Sequence, residues 1–534
     1  MKQLPFIFIS LLFLLPTGLL AQDFTLTVEP MSISNMPGIQ SYAWAKYEGK
    51  WILLGGRTDG LHKRQANASF DQAGQNDFIT VVDPITAQVW TASISTLAIS
   101  IQEQLLSTNM EFIQADSFLY VVGGYGYSMT KGTHITHAVM SAIHLPSLLN
   151  HVVNGQSIQN DFRQISDTNF AVTGGYLNEL NGVYHLTGGQ RFDGRYNPMG
   201  HASYTQTYTN ADRKFTLSDD GTNLSVNFLA EDFDPAVFHR RDYNVVPQIF
   251  PNGGEGLIAF SGVFQVQADL PFLTAVVIDS QSYRLENSFS QYYQQYHCAH
   301  IPLYSENNKA MHTLFLGGIS QYYDSAGTLV KDDNVPFVKS ISRVTMDQNG
   351  LLKEYNMGIE LPDYLGASAE FIPADNLPEF GNGVLKYDDL TADTTLIGYM
   401  VGGIQSTAKN IFFINTGNES SASPTIYKIS LIKGVKTGME QLNNESYKSF
   451  GLQVLPNPAK NKLDLHFNAL TAEPIVVEVF DMQGKLLYAH TLTNLSPGAE
   501  SHRIESAILH GNTMVLVVLR SASMKSTQKV VLFH

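Results

Sequence analysis

The chain has 534 residues and a formal net charge of −15. That length exceeds one ordinary core, so several domains or one large repeat array are expected. An acidic body argues against nucleic acid and anionic lipid as partners. The single cysteine, Cys298, excludes an intramolecular disulfide, so stability has to come from burial.

The first element is a secretory signal. Lys2 supplies the positive start, residues 6–15 are apolar, and Leu19-Leu20-Ala21 precedes Gln22. Cleavage is expected after Ala21, giving a signal peptide over residues 1–21. Its apolar run is short for a spanning helix and is interrupted by Pro16, and no later segment reads as a transmembrane helix. Residues 24–29 then read as a strand.

From there a pattern repeats. An apolar strand ends in Gly55-Gly56, Gly123-Gly124, Gly188-Gly189, Gly317-Gly318 and Gly402-Gly403, with a weaker copy at Ser261-Gly262. Upstream of each lies another strand, and the two are joined by hairpin signals such as Glu48-Gly49, Asp116-Ser117 and Asn181-Gly182. Downstream comes a polar loop of variable length, then a third strand, a turn and a fourth. In the first unit that turn is Asp83-Pro84-Ile85-Thr86, where Pro presets φ and the Asp carboxylate can bond the backbone ahead. Six copies predict a repeat array.

The first unit, with its Gly-Gly and its Asp-Pro-x-Thr-x-x-x-Trp ending at Trp90, resembles a kelch repeat. In kelch proteins one repeat forms one four-stranded blade of a β-propeller. The later units keep Gly-Gly but lose the Trp, and their periods are longer. The resemblance spans about residues 23–433 and implies an all-β, six-bladed β-propeller over residues 22–433. The sixth unit lacks a fourth strand, and residues 24–29 are expected to supply it and close the ring. Seven blades is the alternative count, because Gly174-Gly175 adds a further pair.

Residues 434–449 are polar and read as a linker. The segment from 450 to 534 begins with Leu455-Pro456-Asn457-Pro458-Ala459, carries Asp481-Met482-Gln483-Gly484-Lys485, and ends with basic Lys525 and Lys529. It resembles the type A C-terminal sorting domain of the type IX secretion system of Bacteroidetes, a small C-terminal β-sandwich. The resemblance implies export through the type IX secretion machinery, a secreted or outer cell-surface location, and removal of this domain at the surface.

The loops that follow each Gly-Gly emerge on one face of a propeller. They carry Arg57, Asp59, His62, Lys63 and Arg64, then Tyr125, Tyr127 and His134, then Arg191, Asp193, Arg195 and Tyr196, then Gln321 and Tyr322. Arg and Tyr give contact area with directional donors. Arg57, His62, Tyr125, Arg191, Tyr196, Gln321 and Tyr322 are therefore the candidate ligand-binding residues, with Arg57 and Arg191 facing the channel mouth. The competing reading is that such loops are polar because they are solvated. Tyr296-His297-Cys298-Ala299-His300 has the look of a metal or redox cluster. Kelch-type copper oxidases use a Tyr–Cys cross-link, but no matching ligand set accompanies this segment, and Cys298 reads as a small buried filler. His239-Arg240-Arg241-Asp242 reads as an exposed turn between units, and Lys331-Asp332-Asp333-Asn334 lacks a full calcium-loop series. No cofactor or metal is expected. The function implied is a kelch-type binding module for a glycan or protein ligand. The alternative is a carbohydrate-active enzyme on the same scaffold, similar to sialic-acid epimerases.

Overall fold

The computed structural model describes residues 24–434 except 199–202 and 326–327, residues 441–442, and the greater part of 450–532. The expected signal peptide and cleavage site lie outside the described residues, as do 435–440 and 443–449 of the expected linker.

The chain is all-β, built from many small antiparallel sheets. Six of them share one plan, four strands paired in up-and-down order. The first unit shows it: Ala43–Tyr47, Lys50–Leu54, Phe78–Asp83 and Gln88–Ser93. The hairpin between its first two strands turns at Glu48 and Gly49, with φ of 48° and 72°. At the second turn the Asp83 carboxylate accepts the N–H groups of Ile85 and Thr86, each at 3.0 Å, as the sequence predicts. The first strands of the other units are Glu111–Ala115, Tyr176–Leu180, Asn244–Ile249, His300–Ser305 and Tyr364–Pro373. In the sixth unit the outermost strand is Phe24–Met31, paired antiparallel with Ile426–Lys433. Gly174-Gly175 lies in the turn entering the third unit, not at the end of a second strand.

Second strands such as Trp51-Ile52-Leu53-Leu54 are buried on both faces. The reason is packing between units. One core cluster joins Ile52 and Val81 of the first unit to Leu119 and Ile143 of the second. Another joins Tyr42 and Leu53 of the first to Val401 of the sixth. A strand with a neighbouring sheet on either side reads as a continuous apolar run, and each fully buried Leu, Ile or Phe contributes roughly 1.5–3 kcal/mol.

Two sets of backbone hydrogen bonds tie the units together. The second glycine of each pair, or Gly262 in the fourth unit, donates its N–H to a carbonyl in the segment entering the next unit. Gly56 reaches Ser107 at 2.8 Å, Gly124 reaches Val172 at 2.9 Å and Gly189 reaches Arg240 at 2.8 Å. Gly262 reaches Gln295 at 3.2 Å, Gly318 reaches Leu365 at 2.7 Å, and Gly403 returns to Ile39 of the first unit at 2.8 Å. This close approach explains the glycines. At Gly123, with φ of 64°, an added Cβ would sit 2.0 Å from the Val172 carbonyl oxygen of the adjoining unit.

The second set links residues at the entrances of the units. Asn109 donates to Ser41, Gly174 to Asn109, Asp242 to Gly174, His297 to Asp242, Ser368 to His297, and Ser41 to Ser368, at 2.7–3.2 Å. Each unit contributes one residue, and Ser41, the acceptor of the first bond, is the donor of the sixth.

Some expected loops are not loops. The segments after Gly124 and Gly189 fold into their own four-stranded sheet, with Tyr125–Ser128 and Thr133–Thr136 joined to Gln190–Gly194 and Tyr204–Tyr208. Within the expected linker, Gln441–Leu442 pairs with Glu354 and Tyr355 at the edge of the fifth unit. The C-terminal segment forms a three-stranded and a four-stranded sheet. Phe450, Leu463, Val477, Ile504 and Val517 lie in their shared core.

Candidate functional site

The ring of six bonded residues forms a neck with a cavity on either side. On one side the segments that follow the second strands, together with the residues leading into the first strands, enclose a funnel of about 770 Å³. The residue directly after Gly-Gly is fixed in the first units by a bridge to the residue entering the same unit: Arg57 with Gln40, Tyr125 with Thr108, Gln190 with Thr173 and Val263 with Arg241. These positions therefore belong to the rigid frame rather than to free loops.

Arg57 lines the funnel but is 5% exposed. Its guanidinium grips Asp59 through Nε at 2.7 Å and Nη2 at 2.6 Å, and it also donates to the Asp71 carbonyl at 2.8 Å. His62 and Tyr196 stand edge to face, with ring centroids 5.3 Å apart. Burial, with Arg241 and the neighbouring Arg64 and Arg57, lowers the His62 imidazole to about 4, so it is neutral at physiological pH. Tyr125 is buried; its hydroxyl donates to Gly194 at 2.8 Å and accepts the Tyr196 N–H at 2.7 Å. Arg57, His62, Tyr125 and Tyr196 thus meet in one cavity.

The other three candidates do not reach it. Arg191 points outward and pairs with Asp193 at 2.9 Å, with both side chains more than 40% exposed. The cause is strand alternation: Gln190 and Phe192 face the funnel, so Arg191 and Asp193 cannot. The expectation that Arg191 faces the channel mouth is corrected accordingly. Gln321 donates to Asp333 at 2.6 Å, and Tyr322 packs edge-on against Tyr292, with centroids 5.0 Å apart. Both are buried and neither lines the funnel.

The largest departure from expectation is at 239–242. Arg240 is 1% exposed, donating to the carbonyls of Val237 and Thr274, with the Phe272 ring 4.2 Å from its guanidinium carbon. Arg241 lines the funnel. It bonds Asp242 at 2.6 Å and the Tyr208 hydroxyl at 3.2 Å, and lies 4.6 Å over Phe264. Burial works against its charge, but Asp242 and the phenols of Tyr208 and Tyr196 hold it protonated beyond the usual arginine range. Tyr208 in turn stacks on His239, with centroids 3.7 Å apart. Carbonyls, a carboxylate and ring faces replace water, and so a charged turn is buried.

The Tyr296–His300 segment also contributes more than filler. Tyr296 lines the funnel, His297 stands in the neck, and His300 lines the cavity beyond it. Cys298 is fully buried, and burial pushes its thiol up to about 12. No group of three or more metal-ligating side chains with suitable spacing occurs among the described residues. Asp332 bonds Asn334 and Asn410, and Asp333 bonds Lys331 and Gln321.

In the neck and just below it, Glu111, Asp242, His297 and Glu370 come together from four units. His297 Nε2 lies 3.1 Å from Glu370 Oε1. Burial opposes its protonation, yet the Glu370 carboxylate, with help from Asp242, raises its pKa. Burial, together with Asp242, raises the Glu111 carboxyl to about 8.

Among solved structures, similarity covers much of the chain but is shallow. A RAG complex with one melted and one unmelted RSS is 10% identical, covering 77% of this chain and 100% of that one, with a TM-score of 0.34. Sucrose-6-phosphate hydrolase from Lactobacillus gasseri is 9% identical over 95% of this chain and 88% of that one, with a TM-score of 0.29. A family 43 arabinoxylan arabinofuranohydrolase from Bacillus subtilis is 10% identical over 93% and 94%, with a TM-score of 0.27. Likenesses of this depth transfer none of those proteins' chemistry. No curated protein matches the chain. Among the described residues no helix is long and apolar enough to cross a membrane. Residues 453–532 match the secretion system C-terminal sorting domain, which engages the secretion machinery and directs the protein to the cell surface or the extracellular space.

Proposed function

We propose that the six units close into a six-bladed β-propeller of kelch type, exported by the type IX system, that binds a glycan in its funnel. The two cyclic sets of backbone hydrogen bonds support closure. The observation that carries the ligand reading is the funnel wall. Tyr196, Tyr208, Phe264 and Tyr296 present ring surface, while Gln190 and Gln206, hydrogen-bonded to each other, bring amide groups to the same wall. Sugar rings need both, apolar faces to stack on and donors and acceptors for their hydroxyls. Phe413, 64% exposed at the rim, extends the ring surface outward.

A glycan array probed with the full chain tests the reading. At least one oligosaccharide class is expected to bind, and Tyr196→Ala is expected to weaken it tenfold or more while the outward-facing Arg191→Ala leaves it unchanged. Absence of any bound glycan, or indifference to Tyr196→Ala, overturns it. A second reading, a carbohydrate-active enzyme, is favoured by the raised pKa of His297, which reaches the funnel from the neck. Turnover of a bound glycan, abolished by His297→Ala, would establish that reading instead.

A further inference from the structure

Beyond the neck, the first strands of the units enclose a second cavity of about 300 Å³. Its chemistry differs from the funnel's. Glu111, Asp242 and Glu370 reach it; Asp242 is already paired with Arg241, and among the described residues no lysine or arginine lines the cavity itself. Trp44, Phe112, Tyr176 and Phe371 supply ring surface around these carboxylates.

Two of the carboxylates are incompletely satisfied. Glu111 is 3% exposed; its Oε1 accepts the Gly175 N–H at 2.7 Å, whereas Oε2 has no hydrogen-bond partner outside its own residue among the described residues. Glu370 is 5% exposed; its Oε2 accepts the Trp44 indole N–H at 3.3 Å, and Oε1 lies near His297 but off hydrogen-bond geometry. A buried carboxylate with an empty acceptor needs either a proton or a positive partner. With Glu111 raised to about 8, a proton serves this purpose at neutral pH. An alkylammonium would serve better: it brings three N–H donors and a charge, and ring faces attract cations. The volume sits at the lower end for ligand pockets, which suits a small molecule.

We infer that this cavity binds a small primary alkylammonium, its head group held by Glu111 and Glu370 and its methylenes by the rings of Trp44 and Tyr176. The site shares neck residues such as Asp242 and His297 with the funnel, but neither Glu111 nor Glu370 lines the funnel, and binding here does not depend on the funnel's ligand.

The test is titration of n-butylammonium into the full chain, followed by calorimetry and tryptophan fluorescence, with n-butanol and butyrate as comparison ligands. One saturable site is expected for n-butylammonium and none for the other two in the same concentration range. Glu111→Gln and Glu370→Gln should each weaken binding tenfold or more, and Arg191→Ala should not. Affinity should rise between pH 6 and pH 9, an interval set by the Glu111 value near 8. Glu111 gives up its proton over this interval, while the amine, like lysine at about 10.4, stays charged. His297, whose protonated form the Glu370 carboxylate favours, opposes the ammonium wherever it keeps its charge. His300, lowered by burial to about 4, and the phenols of Tyr42, Tyr176 and Tyr243, all raised by burial, stay neutral over this interval. Asp242 and Glu370 complete the titratable groups facing the cavity. The inference is overturned if n-butylammonium does not bind, if n-butanol binds equally well, or if both glutamine variants bind as tightly as the parent. Should the variants fail to fold, the comparison of charged and neutral ligand on the parent chain decides alone.

Discussion

Glu354 is fully buried, and among the described residues no cation pairs with it. It accepts the N–H groups of Tyr292 at 2.6 Å and Tyr293 at 3.2 Å, and burial still raises it to about 8. Glu111 reaches the same value for the same main reason. An unfolded glutamate titrates near 4.3. A folded pKa above the unfolded one means that the native state binds the proton more tightly. The stabilisation is therefore complete below about pH 4 and is lost as pH rises through about 8. Thermal stability is expected to fall between pH 5 and pH 8.5, and Glu354→Gln should flatten that decline. An unchanged slope in melting temperature against pH for the variant would contradict the assignment. The two arginines make a contrasting pair. Arg57 is buried against a partly exposed Asp59 and a backbone carbonyl, so Arg57→Ala should destabilise by about 1–3 kcal/mol. Arg191 and Asp193 are both solvated, and Arg191→Ala should cost about 0–1 kcal/mol. Urea unfolding of the two variants side by side measures the difference, and equal losses would mean that Arg57 does not pin its segment.

At the scale of elements, the terminal strand Phe24–Met31 carries a role out of proportion to its length. It pairs over eight residues with Ile426–Lys433, and Phe24 and Leu26, 1% and 3% exposed, enter the core cluster of the fifth and sixth units. Its removal leaves an unpaired edge as well as a cavity. A chain starting at Met31 is expected to melt well below the parent or to aggregate, and Phe24→Ala alone should cost about 3–5 kcal/mol. An unchanged melting temperature for the truncated chain would sink the closure argument. This strand was legible in the sequence because the sixth unit is visibly one strand short. The Gly-Gly pairs were legible because left-handed backbone pressed against a neighbouring carbonyl admits little else. The neck was not. Ser41, Asn109, Gly174, Asp242, His297 and Ser368 act through their backbones, so no common side-chain type marks those positions. Arg240 and Arg241 were read as exposed because their compensation comes from carbonyls and rings distant in sequence, and Arg191 was misplaced because its segment is a strand with alternating faces. Of the funnel, Arg57, His62, Tyr125 and Tyr196 were legible from their place after Gly-Gly, whereas Tyr208 and Arg241 follow no such marker and Phe264 follows only the weaker copy Ser261-Gly262.

Across the whole molecule the cores are segregated. The tail cluster begins at Phe450 and holds no residue of the repeat units, and none of the other clusters holds a residue beyond Leu431. The C-terminal segment can therefore be lost without opening the repeat core. The position of the cut still matters, because Gln441–Leu442 covers the backbone of Glu354 and Tyr355 at the edge of the fifth unit. A cut beyond Leu442 leaves that pairing in place, and one before Gln441 exposes it to water or to a partner strand. The matched sorting domain gives the tail a task in export. In the native host, the extracellular form is expected to start at Gln22 and to end between Leu442 and Phe450, read as a single intact mass. A chain truncated after residue 449 should keep the melting temperature and ligand binding of the processed form yet remain inside the cell. Full-length protein as the only extracellular species would remove the processing step, and export of the truncated chain would remove the sorting role. A truncated chain that is retained but unfolded would show instead that the tail supports the core, against the segregation of the two clusters.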